Sequence, residues 1–285
     1  MAIKITVIKQ NSIISWSLAA CMFLTFSSGI SRHDVDEKAY LNLAAEQQFD
    51  CVGQVFNETT AIGSCVLISD HFVLSAAHVF MDKHKKGVIS AAKLYLVFNG
   101  QKVKVKNVIL HPYYLDAATK GNCDIALIEL EQAVNGIKPA TVNTAFDELN
   151  SLIIGVGYGA SGPADNPKLV SGYNKKIAGE NVIDSIGGLQ YSGSETLLLC
   201  DFDHPERKDC NKMGSPIPRP LEYVCSGGDS GGGIFRKNDK NWQLLGICSG
   251  GGANVIQLLQ TGYYGQTMEW TRVSAFAGWI NEHTQ

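Results

Sequence analysis

The sequence predicts an all-β body closed by one C-terminal helix, and three observations carry that reading. Short runs rich in Val, Ile, Leu and aromatic residues recur from residue 51 onward. Gly, Asn, Asp and Pro punctuate the runs, as turns between strands require. A helical period appears only near the end, where Val273, Phe276, Ala277 and Ile280 follow i, i+3, i+4, i+7 spacing.

In order, the runs are CVGQVF (51–56), SCVLI (64–68), FVLSAA (72–77), KLYLVF (93–98), VKVKNVIL (103–110), IALIEL (125–130) and SLIIGVG (151–157). Each has the length and the β-branched or aromatic content of a strand. KVKVKNV (102–108) alternates charge with valine, the pattern of a strand with one wet face. A polar stretch with Gly and Pro at 135–143 marks a soft boundary. Residues 155–193 are glycine-rich and weakly patterned, which predicts long loops. Residues 236–247 predict a hairpin turning at Asn238–Asp239 into a buried strand. No repeat of fixed period occurs.

The N-terminus belongs to targeting rather than to the fold. Lys4 and Lys9 form a basic start, residues 12–26 are an apolar run, and Ser27, Ser28 and Gly29 are small. This is the pattern of a cleaved secretory signal over residues 1–29, and the run is short for a membrane span. LAAC (18–21) also resembles a bacterial lipoprotein cleavage box, with Cys21 as the lipidated residue. The expected destination is secreted or periplasmic. Removal of residues 1–29 leaves seven cysteines: Cys51, Cys65, Cys123, Cys200, Cys210, Cys225 and Cys248. An exported chain can form disulfides, and an odd count leaves at least one thiol over.

Composition narrows the function. The chain has 285 residues, 45% of them hydrophobic and 18% charged. That suits one large β domain or two smaller ones and excludes a disordered chain. The net charge of −3 is too mild to suggest a nucleic-acid partner or an anionic membrane. No C-x-x-C occurs and the histidines are scattered, so neither a structural zinc nor another cofactor is expected.

Three stretches carry chemistry together. LSAAHVF places His78 just after an apolar strand, NCDIALIEL places Asp124 at the start of another, and CSGGDSGGGIF holds Ser230 among five glycines. Acyl transfer by a serine needs a base to take the hydroxyl proton. It also needs an acid to orient that base, and donors to meet the developing oxyanion. Glycines let backbone N–H groups turn toward one point and leave room for a substrate. The same letters fit the G-x-S-x-G elbow of α/β hydrolases, but that fold places its acid and histidine after the serine. Here only His283 follows Ser230, and alternating βα units are missing.

SAAH, DIALIEL and GDSGGG, in the order His, Asp, Ser, resemble the trypsin/chymotrypsin family of serine endopeptidases. The likeness of pattern runs from about Gly63 to Ile280 and includes LLGICSGG, WTRV and the terminal GWI. The resemblance implies two packed six-stranded Greek-key β-barrels and a C-terminal helix. It assigns 30–45 to an N-terminal segment, 46–142 to a first barrel with His78 and Asp124, and 143–285 to a second with Ser230. It implies Ser230 as nucleophile, His78 as general base and then acid, and Asp124 as the residue orienting His78. The N–H groups of Gly228 and Ser230 would form the oxyanion hole. Ser249, Gly250 and Gly251 would pair with a protein or peptide substrate, with no membrane partner once the signal is gone. A non-catalytic binding module is the alternative, although no triad member is missing.

The departures from the family pattern bear on specificity and activation. Members that cut after Lys or Arg keep an acid six residues before the serine, where this chain has Val224. A buried cation there would lack a counter-charge. Gly250 replaces the usual tryptophan and implies an open wall. Met268 falls where many members have glycine and implies a shallow apolar pocket. Gly63 and Val79 stand where many relatives have a disulfide around the histidine. Cys225–Cys248 could tie the pocket walls and Cys200–Cys210 could close a loop, while Cys123 is expected to be a small buried hydrophobe. Zymogens of this family free an Ile- or Val-led N-terminus that pairs with the acid before the serine. Asp229 is that acid, and cleavage after Gly29 would expose Ile30; processing after Arg32 or Lys38 is the alternative.

Overall fold

A computed structural model describes residues 29–82, 87–170, 172, 175–239, 241–252 and 255–284. The apolar run at 12–26 and Cys21 lie outside these residues.

The first half contains β1 (Gly29–Ser31), helix α1 (Glu37–Ala44), β2 (Val52–Asn57), β3 (Thr60–Leu67), β4 (Phe72–Ser75), β5 (Met81–Asp82), β6 (Gly87–Val88), β7 (Leu94–Phe98), β8 (Gln101–Leu110) and β9 (Ala126–Leu130). Strands β2, β3, β4, β9, β8 and β7 close in that order into a six-stranded barrel. Its alternation explains the closure. Val103 and Val105 of β8 are buried, while Lys102, Lys104 and Asn107 between and beyond them are exposed. The β7–β8 hairpin turns on Asn99 and Gly100, whose φ values of 44° and 82° fit the right-handed twist of the flanking strands.

The second half contains β10 (Thr141–Val142), β11 (Leu152–Gly157), β12 (Ser161–Pro163), β13 (Ile177–Val182), β14 (Ser185–Tyr191), β15 (Ser194–Asp201), β16 (Tyr223–Val224), β17 (Gly233–Asn238), β18 (Asn241–Gly252), helix α2 (Val255–Thr261), β19 (Thr267–Arg272) and helix α3 (Ala277–His283). Seven of these strands run β13-β11-β17-β18-β19-β15-β14, and β10 adds to β18 to complete an eight-stranded sheet. This sheet is the body of the second barrel, wider than the six strands expected. The predicted hairpin forms one residue later than expected: Asn238 is the last residue of β17, paired with Asn241, and the turn starts at Asp239, with φ 50°.

The structure corrects the reading of 155–193 as long loops. That stretch holds the end of β11 and all of β12, β13 and β14. Several of its glycines are strand residues that make room for neighbours: a Cβ at Gly179 of β13 would lie 2.2 Å from the Cβ of Tyr223. The C-terminal helix begins as a 3₁₀ turn over Val273–Phe276 and continues as α3. Val273, Phe276 and Ile280 are buried in one cluster with Val66, Leu74 and Leu127 of the first barrel and Phe235 and Leu244 of the second sheet. That shared cluster packs the two bodies together.

Two helices were not predicted. Asp36 caps α1 by accepting from the Lys38 N–H, and only Tyr40 and Ala44 of its eight residues are buried. Strand β1 is the middle of a three-stranded sheet, parallel to β12 and antiparallel to β16. Ile30 therefore sits opposite Val224 and is fully buried.

Candidate active site

His78 lies in a 3₁₀ turn, Ala77–Phe80, that follows β4. The apolar strand FVLS enters the barrel, and the turn after it brings the imidazole to the barrel's edge, with its side chain 39% exposed. Asp124 precedes β9 and is almost wholly buried. Its Oδ2 is 2.6 Å from His78 Nδ1, and its Oδ1 accepts from the His78 backbone N–H at 2.9 Å. Both carboxylate oxygens thus hold the same histidine, fixing the ring and leaving Nε2 as the outward nitrogen.

The second body supplies two more bonds to Asp124. Ser249 Oγ donates to Oδ2 at 2.9 Å, and Thr271 Oγ1 donates to the Asp124 backbone carbonyl at 3.0 Å. Ser249 was expected beside the substrate; its contact with Asp124 was not anticipated, and neither was Thr271. A polar residue inside an apolar strand, as in LLGICSGG and EWTRV, was the available signal.

Ser230 lies in a tight turn over residues 227–231 and is partly buried. Its carbonyl accepts from Ser64 N–H of β3 at 2.8 Å, and the next residue, Gly231, donates to the Cys248 carbonyl at 2.9 Å. The loop is therefore tied to the first barrel on one side and to the residue before Ser249 on the other. Gly228 and Gly231 adopt φ of 92° and 88°, a conformation glycine takes without strain. A Cβ at Gly231 would also lie 2.1 Å from Ser75 Oγ. Among the described residues, the N–H groups of Gly228 and Ser230 have no acceptor in the protein.

Asp229 points the other way and is buried. Oδ1 accepts from Gly159 N–H at 2.8 Å, and Oδ2 accepts from Ser226 N–H and Oγ. Burial pushes its carboxyl up to about 6. Gly159 leads into β12, the strand beside Gly29 and Ile30. Gly157 and Gly159 make room for this carboxylate, since a Cβ at either would fall within 2.4 Å of it.

Around the expected pocket, Val224, Cys225, Cys248 and Met268 are all buried. A Cβ at Gly251 would lie 2.5 Å from Met268 Sδ, so the thioether fills the space against this strand. A Cβ at Gly250 would meet nothing within 4 Å. Gly63 and Val79 do face each other, and a Cβ at Gly63 would lie 2.9 Å from both Val79 Cγ1 and the Ser230 carbonyl oxygen. The seven described cysteines are all buried free thiols, so neither Cys225–Cys248 nor Cys200–Cys210 is a disulfide here. Cys225 and Cys248 are hydrogen-bonding neighbours, and burial raises the Cys225 thiol well above its usual range. Cys123 is buried beside Asp124, as expected of a small hydrophobe. Among the described residues, no cluster of three His, Cys, Asp or Glu side chains is arranged to hold a metal ion.

The model of the Trypsin family matches residues 42–280. The CLIP domain-containing serine protease C9 of Anopheles gambiae is 29% identical over 231 residues, covering 77% of this chain and 59% of that protein. The chain thus spans less than two thirds of that relative. Chymotrypsin-like elastase family member 1 of Felis catus is 24% identical over 228 residues, covering 75% of this chain and 76% of that protein. Neuropsin, a serine protease expressed in the limbic system of mouse brain, has a similar fold. Its TM-score is 0.59 at 19% identity, covering 90% of this chain and 99% of that one. With its matched segment taking in His78, Asp124 and Ser230, the chain belongs to the trypsin family.

Proposed function

We propose that this chain is an exported serine endopeptidase that cleaves peptide bonds through an acyl-enzyme. One observation carries the reading. Both oxygens of buried Asp124 hold His78, while the loop bearing Ser230 is tied to the elements on either side of that pair. Ser230 Oγ attacks the substrate carbonyl as His78 Nε2 takes its proton, and the free N–H groups of Gly228 and Ser230 receive the oxyanion. His78 then protonates the leaving amine. Water, activated by the same imidazole, hydrolyses the acyl-enzyme.

Three further roles belong to this reading. The substrate backbone lies along Ser249–Gly251, with Gly250 leaving the wall open. Val224 and Met268 line a shallow apolar pocket, so cleavage after Lys or Arg is disfavoured. Removal of the signal after Gly29 frees the Ile30 amine, which pairs with Asp229. In support, Ile30 is buried on β1 beside β12, into which Gly159 leads, and among the described residues Asp229 accepts from Gly159 and Ser226 but meets no cation.

A fluorophosphonate probe tests the nucleophile. Mature wild-type protein takes one label, and Ser230→Ala takes none and loses peptidase activity by at least about 10³-fold. Labelling that persists in Ser230→Ala refutes Ser230. A folded mature protein that takes no label at all points to a binding module instead.

A further inference from the structure

We infer that Ser64, on β3 of the first barrel, is a positioning residue for the oxyanion hole; this rests on the nucleophile and oxyanion donors proposed above. Ser64 is completely buried, and every polar group it has is engaged. Its Oγ donates to the Gly228 carbonyl at 2.7 Å and accepts from Tyr158 N–H at 2.9 Å. Its N–H donates to the Ser230 carbonyl at 2.8 Å. Its carbonyl accepts from Ser75 Oγ at 2.7 Å.

The peptide planes explain why this matters. The two oxyanion donors sit on the peptides 227–228 and 229–230. Ser64 holds the carbonyls of peptides 228–229 and 230–231. The plane carrying the Ser230 N–H therefore lies between two fixed planes, and the plane carrying the Gly228 N–H adjoins one of them. The N–H ends of peptides 228–229 and 230–231 are held as well, by the Ser226 and Cys248 carbonyls, and the Gly232 N–H donates to the Asp229 carbonyl. Ser64 fixes the opposite, carbonyl ends in a stretch whose five glycines resist rotation little themselves. A donor that turns away from the oxyanion stabilises nothing, and one oxyanion-hole donor is worth about 10²–10³ in rate. The Ser64 hydroxyl also bonds Tyr158 at the end of β11, so a single side chain couples the first barrel to two segments of the second body.

The test separates oxyanion binding from ordinary substrate binding. A peptide aldehyde serves as the probe. Ser230 Oγ adds to its carbonyl carbon, the π pair moves onto oxygen, and the serine proton passes to His78, leaving a hemiacetal oxyanion in the hole. In Ser64→Ala, kcat falls about 10- to 100-fold and aldehyde affinity falls by the same factor, while KM and the pH midpoint of kcat/KM stay at wild-type values. Ser75→Ala removes a neighbouring buried hydroxyl yet leaves both Ser64 contacts to the loop, and it changes aldehyde affinity less than about three-fold. Ser64→Cys is nearly isosteric with a weak donor and gives an intermediate loss of both quantities, which keeps the test available if the alanine variant does not fold. Wild-type aldehyde affinity in a folded Ser64→Ala or Ser64→Cys overturns the inference. So does an equal loss in Ser75→Ala. A wild type that takes neither fluorophosphonate nor aldehyde overturns the proposed function, and this inference with it.

Discussion

Met268 would set the depth of the proposed pocket. The side chain is buried, its sulfur lies against the backbone at Gly251, and Gln266 Nε2 approaches it at 3.5 Å. An unbranched thioether fills irregular space and is displaced more easily than a branched side chain. Met268→Gly should therefore open a cavity beside Gly251 and shift cleavage toward bulkier apolar residues on the acyl side of the scissile bond. Peptide-library profiling measures it: an increase of about ten-fold or more for Phe or Tyr over Ala is expected, and an unchanged profile removes Met268 from the pocket. His78, Asp124 and Ser230 could be named as candidates from the sequence because acyl transfer restricts residue types and their flanks are distinctive. Ser64 and Thr271 were not. A serine or threonine on a strand looks the same in sequence whether it faces water or a catalytic loop, and only the closure of the barrel decides which.

The segment between β15 and β16 is fastened to the second body by buried carboxylates. Asp201 Oδ2 accepts the N–H groups of Lys212 and Met213, and Glu222 accepts those of Asp203 and Arg219. Asp184 packs against Gly214 of the same segment. Burial pushes Asp184 and Asp203 up to about 6 and Glu222 up to about 8. The neighbouring charges of Asp201 and Asp203 add to the rise at Asp184. A carboxyl whose folded pKa is raised contributes stability at low pH, and loses it as pH rises through the folded value. For Asp184 that window runs from about 4 to about 6. Asp184→Asn should raise stability on the order of 1 kcal/mol above pH 6 and leave it unchanged at pH 4. Urea midpoints at the two pH values measure it; equal effects at both would exclude the charge as the cause. The strands of the first barrel were readable from apolar runs and turn residues. Those of residues 155–193 were not, because their glycines are set by the girth of neighbours such as Tyr223, which no local pattern records. Helix α1 escaped for a related reason: eight residues with two buried positions give too little periodicity to detect.

The N-terminal segment is part of the whole molecule's architecture rather than a loose leader. Ile30 is fully buried between β12 and β16, the Tyr40 hydroxyl donates to the Glu222 carbonyl, and Arg32 donates to the Arg219 carbonyl. Cleavage after Arg32 or Lys38 would cut β1 off from the chain that follows it and leave it held by strand pairing alone, whereas cleavage after Gly29 keeps Ile30 joined to these contacts. On the proposed processing, sequencing the N-terminus of the mature protein should read Ile-Ser-Arg-His, and a start beyond Arg32 would sink the idea. Among the described residues, no helix is long and apolar enough to cross a membrane.

Asp124 is gripped twice by His78 from its own barrel, then once each by Ser249 and Thr271 from the other body. The carboxylate is in effect an interlock. All four bonds form only while both halves are seated, so on the proposed mechanism a small slip between them would misalign the carboxylate before either half loses its strands. Under the proposed function, a loosened or half-folded copy of this chain would not cut, and the capacity to cut would report the assembly of the two halves rather than the integrity of either one.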